Sequence, residues 1–208
     1  MRLLVLGATG GTGTEIIRRA VEGGHSVTAF VRSPERLKKL EHRISIVQGD
    51  LLDDRALTAV LGGHEAVLSG FGPRVPVSKA DAHLLEQFAV ALTGAMRRSG
   101  TRRVLIVSVA FLFKNSIFPP AYLLGRLLFP GIVADAAVME SVIRASGLDW
   151  TIVRPPELTD KPYTGKYRVR EGRLPTFGLS ISRADVADFM LKTTGNPAAI
   201  GKLYGISN

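Results

Sequence analysis

Residues 1–13 read MRLLVLGATGGTG, and this stretch decides the fold. Leu3, Leu4, Val5 and Leu6 form an apolar run with no polar alternation, the pattern of a strand covered on both faces. The run ends in Gly7-Ala8-Thr9-Gly10-Gly11-Thr12-Gly13. Beyond it, Ile16, Ile17, Ala20 and Val21 recur at helical spacing. A buried strand therefore passes through a tight turn into a helix N-terminus. Such an end presents unpaired N–H groups and a positive dipole, which together suit a phosphate. Gly7 permits the sharp turn, Gly10 lets backbone approach a pyrophosphate, and Gly13 lets helix and strand pack closely. Thr9, Thr12 and Gly11 complete the expected phosphate cradle. An ordinary glycine-rich turn would share the composition, but the strand-before, helix-after context favours a dinucleotide.

Working outward, strand-like and helix-like segments alternate along the 208 residues. Strands are expected at 25–31, 44–47, 66–68, 104–109 and 150–153, the last stopped by Pro155-Pro156. Helices are expected at 34–40, at 53–61 with Asp53 as N-cap, at 80–99 ended by Gly100, and at 134–146 ended by Gly147. This order implies a single Rossmann-type domain over 1–208, a doubly wound, mostly parallel sheet with helices on both faces. Two segments break the rhythm. Residues 111–133 are rich in Phe, Leu and Pro and follow strand five, where open α/β sheets hold ligands. They read equally as a lid or acceptor wall and as a dimer contact. The stretch around 165–182, with Tyr167, Val169 and the turn Glu171-Gly172-Arg173, suggests a hairpin.

Composition narrows the class. Hydrophobic residues make up 46%, the level of a globular chain. There is no cysteine, and Met1 leads directly into the first strand, so a cytoplasmic protein without signal peptide is expected. No apolar stretch is long enough to suggest a membrane span. The net charge of +9 is scattered in pairs such as Arg18-Arg19, Lys38-Lys39, Arg97-Arg98 and Arg102-Arg103, which fall near helix ends and exposed faces. Without a basic arm or interleaved aromatics, no nucleic-acid partner is expected; the field suits an anionic cofactor or substrate. Nothing indicates a metal, and a monomer or homodimer is expected.

Arg32 stands about twenty residues beyond the glycine turn, where a ribose reader belongs. An acid there would select NAD; a guanidinium suits a 2′-phosphate, favouring NADP(H) over NAD(H). The run Gly70-Phe71-Gly72 after strand four permits close backbone approach, through Phe71 and Gly72. Arg74 could add a charge near the phosphates, as could any loop arginine.

The glycine turn, VRSPERL (31–37), Gly49-Asp50, VSVAFLF (107–113) and SGLDWTIVRPPELTD (146–160) together resemble the atypical short-chain dehydrogenase/reductase superfamily. Within it, the chain is most similar to the biliverdin-IXβ reductase/flavin reductase group, with PPELTDKPYTGKY (155–167) the more specific stretch. The resemblance implies that Asp50 and Leu51 meet the adenine, though Asp50 could equally cap the next helix. It also implies that Ser108, Val109, Met139, Glu140 and Pro155 lie beside the nicotinamide, with Ser108 the candidate catalytic residue. The chain lacks the Tyr-x-x-x-Lys pair of most short-chain dehydrogenases; Tyr122 is followed four residues on by Arg126. The flavin-reductase relatives often carry serine at the position of Val109 and histidine at that of Glu140.

Reducing a simple ketone needs a delivered proton, whereas a flavin spreads the incoming charge. The expectation is therefore an NADPH-dependent reductase of a flat conjugated acceptor such as free flavin (FMN or riboflavin), with biliverdin or a quinone as further candidates. The alternative is a non-catalytic NADP-binding redox sensor. A nucleotide-sugar epimerase or dehydratase is disfavoured, because those enzymes are longer and keep the tyrosine.

Overall fold

A computed structural model describes residues 1–73, 83–113 and 127–208. The expected tyrosine-arginine spacing (Tyr122, Arg126), Arg74, the first residues of the 80–99 helix and most of the 111–133 segment lie outside them.

The sheet has eight strands: β1 (Arg2–Leu6), β2 (Ser26–Val31), β3 (Ser45–Gln48), β4 (Ala66–Ser69), β5 (Arg103–Val107), β6 (Asp149–Arg154), β8 (Arg168–Glu171) and β10 (Lys202–Ser207). Their order is β3-β2-β1-β4-β5-β6-β10-β8, all parallel except β8. Two short strands, β7 (Glu157–Thr159) and β9 (Ser180–Ser182), pair in parallel on their own. The helices are α1 (Gly11–Glu22), α2 (Asp54–Leu61), α3 (Leu84–Ser99), α4 (Pro130–Ala145) and α5 (Arg183–Thr194), with a 3-10 turn over Pro34–Leu40.

The unbroken apolar run of β1 now has its reason. Leu4 and Leu6 enter a core layer with Leu57, Phe88, Leu92, Met96 and Ile143 from α2, α3 and α4. Leu3 and Val5 enter the opposite layer with Ile16, Ile17, Val186 and Met190 from α1 and α5. A central strand with helices on both faces has no solvent side to make polar. This is the doubly wound single-domain architecture expected.

Local signals also set the ends. The Asp53 carboxylate accepts from the N–H groups of Arg55 and Ala56, capping α2. Gly100 and Gly147 take positive φ (76° and 72°) after α3 and α4.

Three expectations need correction. The stretch 165–182 is no hairpin: β8, which precedes the turn at Gly172, pairs antiparallel with β10, while β9 pairs with β7. The turn at Gly172 reverses the chain without pairing its two arms, and β8 becomes the edge strand of the main sheet beside β10. The helix expected from residue 134 begins earlier, at Pro130. Arg103, read as a surface charge, is 8% exposed. Its guanidinium donates to the carbonyls of Thr193 and Thr194 at the end of α5 and to that of Asp149. Burial holds its pKa below the ordinary arginine value.

Candidate functional site

The glycine turn sits at the C-terminal end of β1, at the centre of the sheet where the strand order reverses. Open α/β sheets hold ligands at that edge. Gly10 is the N-cap of α1, and the first helical bond runs from the Thr14 N–H to the Gly10 carbonyl. The amides of Gly11, Thr12 and Gly13 precede it and have no helical acceptor. Gly10 and Gly11 are exposed.

Two of these glycines, Gly7 and Gly13, are forced by neighbouring backbone. Gly7 has φ +67°, and a Cβ there would fall 2.6 Å from the Phe71 amide nitrogen. At Gly13 it would fall 2.7 Å from the Gly7 carbonyl carbon and 2.8 Å from Ala8 Cα. Both obstacles are backbone. At Gly10 the nearest atom is the Gly7 carbonyl oxygen at 3.2 Å, so the protein itself exerts less pressure there. The cradle left by these missing side chains fits a diphosphate against main-chain donors.

Around this turn the other predicted residues fall into three groups. Arg32 and Asp50 follow the paired ends of β2 and β3, one and two strands from β1, and both are exposed. The Gln48 side chain donates to the Arg32 carbonyl, which fixes the backbone and leaves the guanidinium in solvent. One Asp50 oxygen accepts from the Leu52 N–H, so it shapes a turn, while Asp53 takes the capping role. Phe71 and Gly72 follow β4; the Phe71 ring leans on Phe88 with centroids 4.8 Å apart, and its backbone abuts Gly7.

Leu51 and Met139 form the second group. They are 7% and 1% exposed and belong to the core. Their side chains pack inward, against the layer formed by α2, α3 and α4. Val109 is half-buried against the same layer, and Pro155 is buried. The Pro155 carbonyl accepts from the Ala110 N–H, tying the ends of β5 and β6 together.

The third group is side-chain chemistry. The Ser108 hydroxyl, at the end of β5, donates to Glu140 Oε1 on α4 at 2.6 Å. Arg154, the last residue of β6, donates from Nε to the same oxygen at 2.8 Å and from Nη2 to Oε2 at 2.6 Å. Ser108, Glu140 and the Arg154 side chain are 7%, 4% and 11% exposed. The guanidinium also lies 4.7 Å from the Phe113 ring centroid. Arg154 was missed in the sequence because nothing near it in the chain marks a partner; Glu140 lies fourteen residues away. Glu140 and Arg154 also line a groove of about 550 Å³ between α4 and β6, together with Leu112, Arg144 and Trp150.

The Glu140 carboxylate thus accepts three hydrogen bonds, one from Ser108 and two from Arg154. The cluster holds the Ser108 hydroxyl in one orientation. Among the described residues no group of three or more His, Asp or Glu is placed to hold a metal ion. No helix among them is long and apolar enough to cross a membrane.

A glycine turn of this geometry at the switch point of a doubly wound sheet defines a dinucleotide-binding Rossmann protein. Residues 7–197 match the NAD(P)H-binding family, and the chain belongs to it. An uncharacterized chloroplastic protein of Arabidopsis thaliana is 31% identical over 196 residues, covering 90% of this chain and 69% of that one. The NAD(P)H azoreductase of Xenophilus azovorans is 28% identical over 154 residues, 74% of this chain and 47% of the azoreductase. Among solved structures, ChuY, an anaerobilin reductase from Escherichia coli O157:H7, superposes with a TM-score of 0.81 at 22% identity, covering 100% of this chain and 97% of ChuY.

Proposed function

We propose that the protein is an NADPH-dependent reductase that passes hydride to a flat, conjugated acceptor, with a free flavin such as FMN the first candidate. The observation that carries this reading is the buried Ser108–Glu140–Arg154 cluster at the ends of β5 and β6. It lies on the same sheet edge as the glycine turn and holds the Ser108 hydroxyl in place. An acceptor whose own ring spreads the incoming charge needs no more than that. A ketone would need a donor for its developing alkoxide. The two reductases among the similar proteins, named for azo and anaerobilin substrates, support the same acceptor class.

In this reading the amides of Gly11, Thr12 and Gly13 hold the diphosphate, with Thr9 at its side. Arg32 holds the 2′-phosphate, and the free oxygen of Asp50 accepts from the adenine amino group. The bound nicotinamide supplies the hydride. Ser108, fixed through Glu140 by Arg154, is a positioning residue at the floor of the acceptor site, and Val109 and Phe113 shape its walls.

The test is NADPH oxidation followed at 340 nm with FMN, riboflavin, an azo dye and a linear tetrapyrrole in turn. Turnover with at least one acceptor, lost or slowed in Ser108→Ala, is the expected result. Tight NADPH binding with no turnover on any of the four would replace this reading by a redox sensor that binds NADP and signals its state to a partner.

A further inference from the structure

The glycine turn has a basic neighbour from the far end of the chain. Arg183 opens α5, and its side chain lies across Gly11. A Cβ built on Gly11 would fall 2.7 Å from Arg183 Cδ, 2.8 Å from Nε and 3.6 Å from Cζ. The guanidinium is thus parked over the first, exposed residue of α1, next to the amides that lack a helical acceptor. Arg183 Nη1 donates to Asp160 Oδ1 at 2.6 Å. No other acceptor among the described residues takes its Nε or Nη2. Asp160 itself is 87% exposed, against 27% for the Arg183 side chain.

The backbone beneath this pair is fixed. The Ser182 hydroxyl caps α5 by accepting from the Asp185 N–H. Thr159, the neighbour of Asp160, is paired with Ser182, the neighbour of Arg183. The arginine is therefore aimed by a short two-stranded ladder, and its methylenes rest where Gly11 has no side chain.

We propose that Arg183 is a ligand of the cofactor's diphosphate, completing with its guanidinium the cradle that the α1 amides begin, and that Asp160 holds it aimed when no nucleotide is present. A helix N-terminus carries the equivalent of about half a positive charge. A diphosphate brings about two negative ones, so a full charge beside the helix end is what the cradle lacks. A guanidinium with one edge bound to Asp160 still has the donors of its other edge for a phosphate oxygen. This inference rests on membership of the NAD(P)H-binding family and is independent of which acceptor is reduced.

Equilibrium titration of the full chain separates the roles. The probes are NADPH, NADH and 2′-AMP, which has a phosphate but no diphosphate. Arg183→Gln is expected to weaken NADPH and NADH by the same factor, roughly tenfold to thirtyfold, and to leave 2′-AMP within twofold. The salt dependence of NADPH binding should become shallower. Arg183→Lys, which keeps the charge and loses the fork, should fall between wild type and Arg183→Gln. Asp160→Asn should leave affinity within threefold of wild type. An Arg183→Gln effect below twofold overturns the proposal. So does a loss confined to NADPH, which would make Arg183 a 2′-phosphate reader. If Asp160→Asn and Arg183→Gln lower melting temperature and affinity alike, the pair is a structural latch and the proposal falls. These readouts need no acceptor, so failure of the reductase reading would show in turnover alone.

Discussion

The two ends of the candidate site are built from different material. At β1–α1 the polar groups are main-chain amides, and the side chains matter by being absent. At the ends of β5 and β6 they are side chains, Ser108, Glu140 and Arg154, drawn from three separate elements. A backbone cradle tolerates almost no added atom, but it recognises a feature common to all dinucleotides. A side-chain cluster can be exchanged residue by residue, which is where acceptor choice can vary without rebuilding the fold.

Adding a methyl group to the cradle should break the contrast most violently. In Gly13→Ala the new carbon meets the Gly7 carbonyl and Ala8 Cα, backbone that cannot rotate away. The expected cost is about 3 kcal/mol of stability and roughly a hundredfold or more in NADPH affinity. Gly10→Ala sharpens the point, because the contact there is a looser 3.2 Å. It should lose affinity while its denaturation midpoint stays near wild type. Equal losses of stability and affinity in both variants would mean that these glycines serve packing alone.

The side-chain end should respond differently to each partner. Glu140→Ala leaves the Arg154 guanidinium buried without its carboxylate, at an expected cost of about 3–5 kcal/mol by chemical denaturation. Ser108→Ala removes one hydroxyl that donates to an already paired carboxylate, at a cost of about 1 kcal/mol. Both should leave NADPH affinity within threefold in folded protein, because neither touches the phosphate cradle. A Ser108→Ala protein with unchanged acceptor kinetics would remove Ser108 from the site.

Legibility in the sequence follows the same division. The glycine turn was readable because its function is written in consecutive residues, and so was the cap at Asp53, a local hydrogen bond. The core strands were readable because burial on both faces erases polar alternation. Ser108 and Glu140 were each named, but their mutual bond and its anchor, Arg154, depend on how α4 lies against β5 and β6. Arg183 and Arg103 were unreadable for the same reason: their contacts span much of the chain, and in the sequence an arginine looks like solvent-facing charge. The hairpin failed because a turn signal at Gly172 says where a chain reverses and not which strand it will meet.

A third region shows what a side-chain cluster does when it serves the scaffold alone. Asp185 is fully buried, and its carboxylate accepts from the amides of Thr164 and Gly165, the hydroxyls of Thr164 and Ser182, and the Asn208 side chain. Burial pushes its pKa up, but the bonds from Asn208, Gly165, Ser182 and Thr164 outweigh it and hold the group below the ordinary carboxylate value. Its stabilisation is therefore present above the unfolded-state value of about 3.9 and is lost as pH falls through the lower folded value. Asp185→Asn should cost about 2–3 kcal/mol at neutral pH. It should also flatten the loss of stability below about pH 4. A variant with the wild-type acid profile would show that other carboxylates govern acid unfolding.

The smallest expected effect separates a surface charge from the cradle it flanks. Arg32 is exposed, and among the described residues the Gln48 side chain donates a hydrogen bond to its carbonyl. Arg32→Ala should weaken NADPH about tenfold and leave NADH within twofold, since water screens a contact at this edge. The ratio of the two affinities is the decisive quantity. A variant that loses both nucleotides equally would place Arg32 on the shared part of the cofactor. One that loses neither would leave selectivity to backbone and shape, and the contrast between a main-chain cradle and side-chain specificity would then hold only at the acceptor end.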